Sequence, residues 1–194
     1  MTSPTPLEYG QYYHIYNRGN NRQNLLIEEP NYYNYVKLYA KYRLPIADTF
    51  AYCLQPNHFH LLVRILTPQE QTLRVSETLR VSKSPRQQFG NLFNAYAKAI
   101  NMADNRTGSL FENPFGRVPV TTEPYLVYLV AYIHQNPQKH GFVADFSEWP
   151  FSSYHAVLSQ KPTRLERDEV LAWFQSPAAF QDAHRQPVSD AQMA

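Results

Sequence analysis

The run Ala47-Asp48-Thr49-Phe50-Ala51-Tyr52-Cys53-Leu54-Gln55-Pro56-Asn57-His58-Phe59-His60-Leu61-Leu62-Val63-Arg64-Ile65 holds two β-prone stretches joined by a Gln-Pro-Asn turn. It reads as a hairpin. Strand side chains alternate between faces, so Phe59, Leu61, Val63 and Ile65 share one side, as a buried face would, and His58 and His60 share the other. Two strand rises separate the histidine Cα atoms by about 6.5 Å. Two imidazoles converging on a metal at roughly 2 Å can close that gap. The pair is a candidate clamp for one divalent ion; the plainer alternative is two polar residues at a strand end.

The flanks give the hairpin its context. Residues 12–17 form a strand pattern that runs into the donor-rich turn Arg18-Gly19-Asn20-Asn21-Arg22, and residues 31–42 read as a helix stopped by Pro45. Residues 86–102 are amphipathic, with Phe89, Leu92, Phe93, Tyr96 and Ile100 at helical spacing. Residues 117–121 give a fourth strand. The order β-α-β-β-α-β predicts an α+β fold of the ferredoxin-like kind, an antiparallel sheet with helices packed on it, a scaffold shared by many nucleic-acid binders. Residues 67–86 are polar and carry a small duplication, Leu73-Arg74-Val75-Ser76 and Leu79-Arg80-Val81-Ser82; this reads as a surface excursion, too short for a solenoid. Short helical pieces are expected around residues 149–154 and 168–174. Residues 1–175 are expected to form a single domain, with 176–194 a disordered tail.

After the fourth strand comes Tyr125-Leu126-Val127-Tyr128-Leu129-Val130-Ala131-Tyr132-Ile133-His134-Gln135-Asn136-Pro137. Leu126, Leu129, Val130 and Ile133 make a buried helical stripe. At about 100° per residue, Tyr125, Tyr128, Tyr132 and Asn136 make an adjoining one, and His134 points away from it. Thr122-Glu123-Pro124 is a start signal, while Asn136-Pro137 with Gly141 marks the end. The residue before a proline is biased away from helical angles, which would displace Asn136 from the stripe. The tyrosines themselves also fit an aromatic edge to the core.

A chain of 194 residues, 43% hydrophobic, can bury one proper core. The single cysteine, Cys53, sits in an apolar run and can make no intrachain disulfide; a reducing, cytoplasmic setting is expected. No signal peptide opens the sequence and no apolar stretch is long enough for a bilayer, so no membrane partner is expected. The net charge of +2 is a mild lean toward polyanions. Fifteen Tyr and eleven Phe interleaved with Arg, Lys and Asn would suit stacking on unpaired bases, although core packing is the commoner fate of aromatics.

Taken together, the Pro-Asn-His-Phe-His strand and the single tyrosine of Tyr132-Ile133-His134-Gln135-Asn136-Pro137 resemble the single-tyrosine HUH transposases of small bacterial insertion sequences, the REP-associated branch above all. Supporting matches are Tyr13-His14-Ile15-Tyr16-Asn17-Arg18-Gly19, Asn105-Arg106-Thr107-Gly108-Ser109-Leu110-Phe111 and Trp149-Pro150-Phe151-Ser152-Ser153-Tyr154, so that the resemblance covers residues 12–174. It implies that His58 and His60 hold a divalent ion, Mg²⁺ or Mn²⁺, with Asn136 in the third place, and that Tyr132, on a helix C-terminal to the sheet, is the nucleophile. The implied activity is a metal-dependent endonuclease and transposase reaction that nicks and rejoins single-stranded DNA, next to a hairpin, through a 5′-phosphotyrosine. The protein would then be nucleoid-associated in a bacterial cytoplasm, with a homodimer left open. Two other readings stay open: a DNA-binding protein of the same fold that no longer cuts, and a metal-dependent hydrolase in which water attacks.

Candidate DNA contacts are Asn17, Arg18, Arg22, Lys98, Arg106 and Arg117. No general base for Tyr132 stands out, and neither His134 nor His140, beyond Pro137, is expected to act directly. His14 reads as a sheet-face or core histidine, with support of the histidine pair as the alternative. The 67–86 stretch has no counterpart in the resemblance.

Overall fold

A computed structural model describes residues 5–74 and 84–188. Strand β1 (Tyr12–Arg18) leads through a 3₁₀ turn, Asn20–Arg22, to helix α1 (Glu29–Arg43), followed by β2 (Ala47–Leu54) and β3 (His58–Ile65). Helices α2 (Pro68–Arg74) and α3 (Pro85–Ala103), strand β4 (Gly116–Val120) and helix α4 (Glu123–Lys139) come next, and α5 (Tyr154–Leu158), α6 (Arg167–Trp173) and α7 (Pro177–Arg185) complete the described chain. The sheet is antiparallel throughout, in the order β2-β3-β1-β4. This is the α+β, ferredoxin-like arrangement expected of the sequence.

Alternation divides the sheet's side chains between two cores. Tyr13, Ile15, Phe59, Leu61, Val63 and Ile65 face α1 and α3, which cover them with Tyr32, Tyr35, Tyr39, Phe89, Leu92, Tyr96 and Ile100. Phe50, Ala51, Cys53, Leu62 and Val120 face the other way, against Leu126, Leu129, Val130 and Ile133 of α4. A bulge between Thr49 and Ala51 turns the consecutive Phe50 and Ala51 into this second core. Each cavity-free Leu or Ile in such a core is worth roughly 2–5 kcal/mol against truncation to Ala. The outer edge of β2 is closed by the chain after α4: Leu54 N–H donates to Phe151 O, Ser153 N–H to Tyr52 O and Glu166 N–H to Thr49 O, each at 2.9 Å.

Two expectations need correction. Residues 176–194 were expected as a disordered tail, yet Pro177–Arg185 form α7, capped by the Ser176 hydroxyl, which accepts from Ala179 N–H. Phe180 is fully buried beneath it, and one large aromatic with one buried histidine suffices where helical periodicity alone is faint. Nor does the proline displace Asn136 from the helix: α4 passes through Pro137 to Lys139, just short of the Gly141 end signal. The proline removes one amide donor near the end of the helix, where few further hydrogen bonds depend on it, and Asn136 Nδ2 holds the turn by donating to Tyr132 O at 3.1 Å. Gly141, at φ +72°, makes the left-handed turn after the helix, letting Phe142 N–H reach back to Pro137 O at 2.9 Å. Of the 67–86 excursion, Pro68–Arg74 form α2, docked by Arg74 to the buried Asp48 at 2.6 Å; the second half of its duplication lies outside the described residues.

Candidate active site

The Gln55–His58 turn is pinned from two sides. Gln55 N–H donates to His58 O within it, while Leu25 and Leu26 N–H donate to Pro56 O and Gly19 N–H to Asn57 O. That grip fixes the start of β3, from which His58 and His60 project on the α4 side of the sheet, their ring centroids 5.2 Å apart and nearly perpendicular. Across the strand pair, Tyr16 stands opposite His60 and Arg18 opposite His58. From α4 the Tyr132 ring meets His60 edge-on at 5.7 Å. His58, His60 and Tyr132 line one cavity of about 880 Å³ together with Tyr16, Arg22 and His140.

Each histidine has one nitrogen engaged. The Asn57 side-chain carbonyl accepts from His58 Nδ1 at 2.6 Å; since a carbonyl only accepts, Nδ1 carries the proton and Nε2 keeps its lone pair. His60 Nδ1 lies 2.9 Å from His14 Nε2; in the tautomer in which His60 Nδ1 donates to His14, His60 Nε2 keeps its lone pair. Burial drives the His58 pKa down to about 4, assisted by the charges of His140 and Arg18 and opposed by Asn136. Burial, then His14 and His58, holds His60 well below its ordinary value. Both imidazoles are therefore neutral at pH 7, the state a metal requires.

Asn136 is fully buried one helical turn beyond Tyr132. Its Oδ1 has no hydrogen-bond partner, although the carboxamide is near enough to His58 to influence its protonation. An orphaned buried carbonyl oxygen is costly; near His58, it would make with the two neutral imidazoles a donor set of two nitrogens and one oxygen. That set fits Mn²⁺ or Mg²⁺ with water or phosphate in the open positions. Among the described residues no group of three His, Cys, Asp or Glu gathers as a metal cage.

The tyrosine stripe takes the expected form: the Tyr125 and Tyr128 rings stack at 5.9 Å, and the Tyr128 and Tyr132 rings at 6.2 Å. Lys139 Nζ sits 5.0 Å from the Tyr132 ring centroid. His134 does point away, into a buried chain with His184 and Ser153. His140 lies nearer the histidine pair than its place beyond Pro137 suggested. Because α4 continues through Pro137, His140 folds back to within 4.8 Å of the His58 ring, centroid to centroid. His14 takes the supporting position that the sequence left as its alternative.

The six candidate DNA contacts split between two places. Asn17, Arg18 and Arg22 line the active-site cavity, with Arg18 paired to Glu112 at 2.6 Å. Lys98, Arg106 and Arg117 line a second cavity under α3, which Asn17 also borders. Arg106 there donates to Gln23 Oε1 at 2.7 Å.

Among known proteins, one curated relative, from Haemophilus influenzae, bears the name "Putative REP-associated tyrosine transposase" and is 28% identical over 114 residues. The match covers 56% of this chain and 59% of that protein's length. No protein-family model matches the chain. A solved structure of a REP-associated tyrosine transposase bound to a REP hairpin superposes with a TM-score of 0.59 over 84% of this chain and 88% of that one, at 18% identity. In sequence and in fold, the chain is similar to REP-associated tyrosine transposases.

Proposed function

We propose that the protein is a metal-dependent DNA transposase that nicks and rejoins single-stranded DNA beside a hairpin, with Tyr132 as nucleophile. The observation that carries this reading is the meeting of Tyr132 and His60 at 5.7 Å between ring centroids, in a cavity shared with His58. Support for the hairpin as substrate comes from the structural neighbour, which is bound to one.

A phenol with a pKa near 10 is a weak nucleophile at neutral pH. The ammonium of Lys139 lies over the Tyr132 ring, 5.0 Å from its centroid, and puts positive charge beside the proposed nucleophile. Tyr132 Oη attacks the phosphorus, the bond to the 3′-oxygen breaks, and the products are a 5′-phosphotyrosine and a free 3′-hydroxyl. The phosphodiester energy is kept, so a second 3′-hydroxyl can reverse the step and join new strands without ATP. Mg²⁺ or Mn²⁺ held by His58 Nε2, His60 Nε2 and Asn136 Oδ1 would polarise the scissile phosphate and offset its developing charge. Tyr16, 38% exposed at the cavity wall, offers a face on which an unpaired base can stack.

The test is a labelled single-stranded hairpin oligonucleotide incubated with protein and Mn²⁺, followed by denaturing electrophoresis and peptide mass spectrometry of any protein-DNA adduct. A nucleotide carried on Tyr132 supports the reading. An adduct on another residue, or cleavage with none, contradicts it.

A further inference from the structure

We propose that the cavity under α3 is a second phosphate site, built around Arg117 and Arg86, that grips the same single strand away from the scissile bond; this rests on the DNA-processing reading above. The cavity, about 1230 Å³, lies between α3 and the chain leading into β4, on the side of the sheet opposite the histidines. Arg117 pairs with Ile15 in the β-ladder, so its side chain points to this face.

Arg117 is an unusual residue to bury. It is 8% exposed, its guanidinium lies 4.2 Å from the Phe115 ring centroid, and its Nε is buried with no hydrogen-bond partner. The charge acting on it is that of Arg86, another cation, which together with burial lowers its pKa. An enclosed cation with a like charge for a neighbour is among the costlier arrangements a fold can hold. An incoming anion resolves it. The guanidinium fork matches a phosphate's oxygens, and Lys98 and Arg106 border the same space. Asn101 adds a buried, unpartnered acceptor, Oδ1, suited to an amino group on a base edge.

The two cavities meet at the end of the sheet, where Asn17, Glu112 and Pro114 line both. Glu112, the anion that would repel a strand there, is paired to Arg18. A strand leaving the catalytic face can therefore turn around the end of β1 and enter the second cavity. At about 1230 Å³ it is large enough to admit a phosphate with an unstacked base.

The experiment is a scan of single neutral methylphosphonate linkages through a single-stranded oligonucleotide, read as affinity by fluorescence anisotropy for the wild type and Arg117→Gln. The wild type should lose affinity at one linkage other than the scissile one, by roughly tenfold or more for a charge-assisted bond. Arg117→Gln should bind the unmodified oligonucleotide correspondingly more weakly and be indifferent to that linkage. In the DNA-free protein, Arg117→Met should melt higher, because a largely buried cation with an unpartnered Nε and a cationic neighbour, Arg86, is removed. Unchanged affinity in Arg117→Gln, a linkage effect that survives it, or equal competition by a polyglutamate peptide would overturn the proposal. If wild-type protein forms no covalent adduct yet shows the Arg117-dependent linkage effect, the phosphate site stands and the catalytic reading falls; if it binds no DNA, both fall.

Discussion

His14 Nε2 and His60 Nδ1 lie 2.9 Å apart, joining β1 to β3 on the catalytic face. The contact holds the His60 ring in the orientation that turns Nε2 toward the cavity. Groups that orient a metal ligand typically change metal affinity by 10–100-fold when removed. His14→Ala should therefore weaken Mn²⁺ binding by about tenfold, with His14→Gln recovering part of the loss because its carbonyl can still accept. Mn²⁺ titration by electron paramagnetic resonance measures this; wild-type affinity in His14→Ala would make the contact merely structural.

Asn136 contributes differently from the histidines. Water can replace one oxygen ligand of a hard ion, so Asn136→Ala should retain more Mn²⁺ affinity than His58→Ala or His60→Ala. Asn136→Asp, which places a charged oxygen where Oδ1 is unpartnered, should raise it. Calorimetry separates the four variants, and an Asn136→Ala loss as large as that of either histidine would assign the residue a mainly structural role.

How much of this was legible beforehand depended on the local signal. The bounds of β2 and β3 followed from alternation and one turn, since a half-slip would have buried His58 and exposed Phe59. The tyrosine stripe followed from helical period. The position of His140 beside His58 did not, because it depends on α4 continuing through Pro137 to Lys139, where a propensity argument would end the helix. The division of the basic residues was equally hidden: Arg18 and Arg117 both lie on strands, and which face each occupies is set by the register of β1 with β3 and β4.

Gly116 sits opposite Tyr16 in the ladder, and a Cβ there would lie 2.2 Å from Tyr16 Cζ. Gly116→Ala should thus force the Tyr16 ring off β4 and away from His60, lowering affinity for single-stranded DNA. Gly90, in α3, has nothing within 4 Å of its would-be Cβ; Gly90→Ala should instead stabilise the fold by about 0.5–1 kcal/mol. Thermal melts and oligonucleotide binding should separate the two, and wild-type DNA affinity in Gly116→Ala would show the ring position to be immaterial.

α7 is tied to α4, the helix that carries Tyr132, through His184, whose Nε2 lies 2.8 Å from His134 Nδ1 and whose Nδ1 donates to Phe180 O. Burial lowers the His184 pKa from 6.5 to about 4. The unfolded chain then takes up the proton first, so stability is full above pH 6.5 and is lost as pH falls from there toward about 4. The loss attributable to this group approaches about 3 kcal/mol. Denaturant midpoints at pH 7.5 and 4.5 should fall further in wild type than in His184→Phe; equal falls would remove His184 as the cause.

The most direct test of the central claim compares wild type with Tyr132→Phe on a denaturing gel, using end-labelled single-stranded hairpin DNA and Mn²⁺. Loss of one phenol oxygen should abolish the slow-migrating covalent adduct while DNA and Mn²⁺ binding persist, because the substitution leaves the proposed metal ligands His58, His60 and Asn136 unchanged. An adduct of wild-type intensity in Tyr132→Phe would contradict the assignment of the nucleophile, and cleavage without any adduct in either protein would show that water, rather than tyrosine, attacks.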